Sequence, residues 1–147
     1  MIPVTNTIKK YAEHLVAVQF MDAGMSVFQN ISAYNDTFDL IIKSKTGNYY
    51  DILVEVIDHK FRSELHIYKR KYNFDLKDNY YIALVVFDEG ETNLYLIPFN
   101  VFKNPNRTFT NIEYNPKLNH LSSWKIAARD KEALERFAFK DIVSQLK

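Results

Sequence analysis

Cysteine is absent from the 147 residues. That excludes disulfides, thiolate metal sites and cysteine nucleophiles, and it is compatible with a reducing compartment. Nor does any apolar run approach the ~20 residues of a membrane span, and the N-terminus has no signal-peptide core. The expectation is a cytoplasmic protein with no membrane contact. An excess of one charge is missing too: 19 basic and 18 acidic side chains leave a formal +1. No global field then draws the chain to nucleic acid, and any basic surface must be local. There is no glycine-rich phosphate loop and no serine nucleophile elbow. Glycine is scarce, and the three present, Gly24, Gly47 and Gly90, stand where elements should end.

Hydrophobic residues make up 47% of the chain, enough for one folded domain over 1–147. Ile8, Tyr11, Ala12, Leu15, Val18 and Met21 recur at helical spacing. With Thr5 or Asn6 as N-cap and Gly24 past the end, they predict a helix from about 6 to 23. Strands are expected over Met25 to Gln29, Thr37 to Ser44 and Tyr49 to Ile57, the last two joined by the turn Lys45-Thr46-Gly47-Asn48. Leu65, Tyr68 and Tyr72 suggest a short helix from roughly 62 to 73. Tyr80 to Phe87 is the strongest strand, apolar enough for a sheet centre. Asp88-Glu89-Gly90-Glu91 turns it into Leu94 to Ile97, which Pro98 stops. A loop-rich stretch follows, then a strand over Ser123 to Ala127. A C-terminal helix after Asp130 carries Leu134, Phe137, Ala138, Ile142 and Leu146 on one side. The crossover after the third strand makes the central sheet mixed, with helices covering it.

Two carboxylates stand out. Asp39 lies in Phe38-Asp39-Leu40-Ile41-Ile42 and Glu55 in Ile52-Leu53-Val54-Glu55-Val56-Ile57, each an acid in an apolar strand. Burying an ionised carboxylate alone costs several kcal/mol, so each needs water, a partner or a metal. Alternation groups Phe38, Leu40 and Ile42 on one face of the second strand and Asp39, Ile41 and Lys43 on the other. On the third strand Asp51, Leu53, Glu55 and Ile57 share a face. A hairpin in register would bring Asp39 and Glu55 within roughly 6 Å, close enough to share a hydrated cation. The plainer readings are an exposed Asp39 on a half-buried strand, a Glu55 paired with Lys43, and a Glu13 paired on its helix with Lys9 or Lys10.

These elements resemble the PD-(D/E)XK nuclease superfamily, the restriction-endonuclease-like fold, over roughly residues 8 to 100. The resemblance rests on Ala12-Glu13, Gly24 followed by Met25 to Phe28, Phe38-Asp39-Leu40-Ile41, Leu53-Val54-Glu55-Val56, and Tyr80 to Leu84 leading to Tyr95-Leu96-Ile97-Pro98. It implies an α/β fold with a mixed central sheet flanked by helices, and hydrolysis of DNA phosphodiester bonds with Mg²⁺ or Mn²⁺. Glu13, Asp39 and Glu55 would hold the metal. The superfamily's lysine, two residues after the last Glu, would orient or activate water. Ile57 stands there, so Lys43 or Lys60 would have to supply the charge, and Lys43 shares the face of Asp39. The alternative is a catalytically inactive nuclease-fold module that binds DNA or a protein partner.

Lys69-Arg70-Lys71, among Tyr68, Tyr72 and Phe74, is the one dense basic-aromatic cluster and the candidate for nucleic-acid contact. A solvated helix face over core aromatics is its plainer reading. His59 adjoins the expected site and is either a proton carrier or a loop histidine. Trp124 reads as core. A homodimer is compatible with the sequence, which does not specify one.

Overall fold

The computed structural model describes residues 6–31, 38–69, 76–115, 117–118 and 121–147. The first helix, α1, spans Asn6–Asp22. It stops in a Schellman turn: Met25 N–H donates to Phe20 O and Gly24 N–H to Met21 O, with Gly24 at φ +83°. That left-handed conformation is why glycine follows the helix. Strand β1 (Ser26–Gln29) leads to β2 (Leu40–Lys43), which forms the expected antiparallel hairpin with β3 (Tyr49–Asp58). Gly47, at φ +93°, sits in its turn. The first residue of the expected second strand, Thr37, lies outside the described residues.

β5 (Tyr80–Asp88) runs parallel to β3, and β6 (Glu91–Pro98) antiparallel to β5, so the five-stranded sheet β1-β2-β3-β5-β6 is mixed as expected. One face, with Leu40, Ile42, Ile52, Val54, Val56, Ala83 and Val85, packs under Ala12, Val16 and Phe20 of α1. The other, with Leu53, Ile57, Ile82 and Leu84, packs on a cluster that includes Phe99, Phe102, Phe109 and Trp124. Trp124 is core, as read.

Three expectations need correction. Residues 64 to 68 are not helical: Glu64–Tyr68 is strand β4, paired with β8 (Ser123–Ala127) in a second sheet, β4-β8-β7, with β7 at Phe109–Ile112. Leu65 and Ile67 are buried while Glu64, His66 and Tyr68 are exposed, the period of a half-buried strand. Residues 62 and 63 of the expected helix belong to the turn before β4, and 70 to 73 lie outside the described residues. The loop-rich stretch holds a 3-10 helix at Phe99–Lys103 as well as β7. Finally, the C-terminal helix is two, α2 (Lys131–Glu135) and α3 (Phe139–Val143). Asp130 caps the first through Ala133 N–H. The break occurs because Phe137 O accepts from Leu96 N–H and Ala138 bridges to Tyr95, tying the chain to the edge of β6. Leu134 then joins one core and Phe139 and Val143 the other.

Candidate functional site

β2 is short. Its ladder with β3 ends at the Leu40–Ile52 pair, while β5 follows the opposite edge of β3 as far as Asp58. The edge groups of β3 beyond Ile52 would be left open, and open backbone groups in a half-buried place need partners. Side chains supply them. The chain bends at Asp39 and its Oδ2 accepts from Val54 N–H at 2.7 Å. Lys9, from α1, donates to the same Oδ2 at 3.0 Å and also to Val54 O. Two residues on, Arg62 Nη2 donates to Val56 O at 2.7 Å. This bend breaks the expected alternation. Phe38 turns to the Tyr80 ring, 4.7 Å away between centroids, rather than joining Leu40 and Ile42 under α1.

The sheet separates the other acids. Glu13 is nearly buried on the sheet-facing side of α1 and accepts from Lys10 at 3.1 Å. Glu55 shares its β3 face with Leu53 and Ile57, which belong to the opposite core. The fully buried β3 side chains on the α1 side are Ile52, Val54 and Val56, all hydrocarbon. Ile57 is fully buried between the two sheets. Lys43 is four residues along β2 from Asp39, roughly 13 Å at strand rise, beside the Tyr49 ring. Lys60 is exposed, its N–H on Asp58 Oδ1. His59 donates its backbone N–H to Phe87 O. Among the described residues no group of three or more His, Asp or Glu side chains is placed to hold a metal ion.

The chain matches no protein-family model and no curated protein. It is similar to the solved structure of the Archaeoglobus fulgidus Holliday junction resolvase Hjc, at 14% identity and a TM-score of 0.53, over 95% of this chain and 98% of that one. It is also similar to the bacterial homing endonuclease I-Ssp6803I, at 13% identity and a TM-score of 0.56, over 96% and 95% of the two chains. This is the restriction-endonuclease-like fold.

That nuclease fold implies a divalent cation, and the residues here do not fit one. Mg²⁺ requires several oxygen donors near octahedral geometry. Asp39 Oδ2 and Val54 O both meet the Lys9 ammonium, and Glu55 is across the sheet. Hydrocarbon from Val54 and Val56 fills the strand positions opposite α1. The local positive charge comes from Lys9, in a pair whose side chains are 29% and 19% exposed. Sequence reading passes over Lys9 in this role, although it precedes Glu13 by one helical turn and so shares its side of α1. It also passes over Arg62. Of the basic cluster, Arg70 and Lys71 lie outside the described residues. Lys69 pairs with Glu113 and Asn111, with its ammonium 5.4 Å above Trp124.

Proposed function

We propose that the chain is a nuclease-fold module that binds DNA without cleaving it. The observation that carries this reading is Lys9, whose ammonium meets the Asp39 carboxylate and the Val54 carbonyl. A carboxylate and a backbone carbonyl are hard-cation donors, and an ammonium on both neither polarises a phosphate as Mg²⁺ does nor generates hydroxide from water. Ile57 and the Val54–Val56 pair supply no charge to replace it. DNA as the partner is supported by the likeness to a resolvase and a homing endonuclease. Lys69, Arg70 and Lys71 are the proposed phosphate contacts. No helix among the described residues is long and apolar enough to cross a membrane, and the absence of cysteine suits a cytoplasmic place.

Supercoiled plasmid with Mg²⁺ or Mn²⁺ is the test. Wild type should leave it intact, and calorimetry should find no Mn²⁺ uptake. Lys9→Ala should then gain Mn²⁺ binding, and Lys9→Ala/Asp39→Ala should lose it again. The second reading is a metal-dependent endonuclease using Glu13, Asp39 and Glu55, with Lys43 supplying charge. It is favoured by the placing of Glu13 on the sheet side of α1, one turn from the lysine that reaches Asp39. Metal-dependent nicking by wild type, abolished by Asp39→Ala, would establish it over the silent reading.

A further inference from the structure

The edge of β3 leads to a pocket that takes no part in the chemistry around Asp39 and Lys9. After β3 the chain turns tightly, with Phe61 N–H and Arg62 N–H both donating to Asp58 O. The turn brings Arg62 back onto Val56 O. Ser63 follows, and its carbonyl accepts from Ala128 N–H just past β8, stitching the β3–β4 turn to the end of the second sheet. Arg129 then lies beside Ser63, donating from Nε to Ser63 Oγ at 2.8 Å. Arg62, Ser63, Glu64, Ala127 and Arg129 line a pocket of about 350 Å³.

The charge in this pocket is unusual for the chain. Each guanidinium donates one N–H to a neutral acceptor, a backbone carbonyl for Arg62 and a hydroxyl for Arg129. A guanidinium has five N–H donors and stays protonated at any physiological pH. Most of that donor capacity therefore remains, and the bond already made fixes each fork. Neither arginine forms an ion pair among the described residues, whereas Lys9, Lys10, Lys69, Lys125 and Lys131 all do. Glu64 is the one acid in the lining, and Lys125 stands 3.8 Å from its carboxylate. Two forked cations held on neutral partners at one pocket suit an oxyanion, above all a phosphate that can accept bidentate bonds.

We infer that the Arg62–Ser63–Arg129 pocket binds a phosphoryl group without metal. The ligand is a phosphate of a nucleic-acid backbone or a free phosphomonoester, which share this chemistry. The backbone source deepens the DNA-binding reading and rests on it; the free source does not.

The experiment uses the full chain in EDTA with three probes: a fluorescent DNA duplex, a 5′-mononucleotide and inorganic phosphate. The variants are Arg62→Gln, Arg129→Gln, both together, and Lys103→Ala as a charge control outside the pocket. Gln keeps a donor for the carbonyl or hydroxyl, and circular dichroism checks the fold. The double variant should bind duplex at least about tenfold more weakly at low salt. Its slope of log K against log salt should fall by about two, near one for each arginine that neutralises a phosphate. Lys103→Ala should change neither by more than a fraction of that. If wild type binds phosphate or mononucleotide in an arginine-dependent way but no duplex, the phosphoryl site stands and the DNA reading falls. If duplex binding and its salt slope are the same in wild type and double variant, and neither small probe binds, the pocket is no phosphate site, whatever binds DNA elsewhere.

Discussion

The two halves of β3 are held along one edge by different means. Residues Tyr49 to Ile52 are paired by the backbone of β2, residue by residue. Beyond Ile52 the same edge is held by the carboxylate of Asp39, the ammonium of Lys9 and the guanidinium of Arg62. A ladder can be made by almost any residue with an N–H, so the first half tolerates substitution on its exposed side. The second half depends on particular side chains arriving from α1, from the bend before β2 and from the turn after β3. Of the expected catalytic residues, Asp39 and Glu55 fall at this half and Lys43 at the other, opposite Tyr49; the Asp39 carboxylate accepts from Val54 N–H.

The contrast is broken most severely at Ile57. A lysine there would be the superfamily's motif residue by spacing, but the position faces the inter-sheet core and is fully buried. Ile57→Lys should lower stability by about 3–5 kcal/mol, as expected for an unpaired buried ammonium, or titrate to neutral. Urea denaturation measures it, and gain of plasmid nicking by a folded Ile57→Lys would overturn the placement. Asp39→Ala comes next. It leaves Val54 N–H without its acceptor and Lys9 without its counter-charge, and should cost about 2–3 kcal/mol. Asp39→Asn keeps an acceptor for Val54 N–H and should lose less. Equal losses for the two would mean that the ion pair, not the capped N–H, holds this half of the strand.

Much of the first half was legible in the sequence because its signals are local. The period of α1, the Gly47 turn and the apolar run of β5 each fix an element from its own residues. β4 was missed for the opposite reason. Its alternation covers only Glu64 to Tyr68, its exposed face is Glu64, His66 and Tyr68, and its partner β8 lies in a distant part of the chain. The site divides in the same way. That Asp39 needs a partner followed from its apolar neighbours, and the face of Glu55 followed from alternation. Which face of β3 meets α1 did not, because Lys9 reaches Asp39 only through tertiary packing. Alternation also fails at Phe38–Asp39, where capping Val54 N–H outweighs a regular strand.

The smallest effect sharpens the comparison from the ladder side. Asp51 pairs with Ile41 in β2 and Tyr80 in β5, and burial pushes its carboxyl above the ordinary value, with Lys77 pulling it partly back. The native state therefore keeps this proton to a higher pH than the unfolded chain does. Between the two values the native state binds more protons, so the contribution of Asp51 falls as pH rises through the folded value, then levels off. Below the unfolded carboxylate range both states are protonated and the effect disappears. Asp51→Asn removes the titration while keeping a similar shape. It should be slightly more stable than wild type at neutral pH, with the advantage shrinking as the solution is made acid. Lys77→Ala removes the opposing charge and should steepen the wild-type loss. Urea denaturation of the three proteins across the acid range reads the difference, in which the other carboxylates largely cancel. Parallel profiles for wild type and Asp51→Asn would show that backbone pairing leaves Asp51 as well solvated as in the unfolded chain.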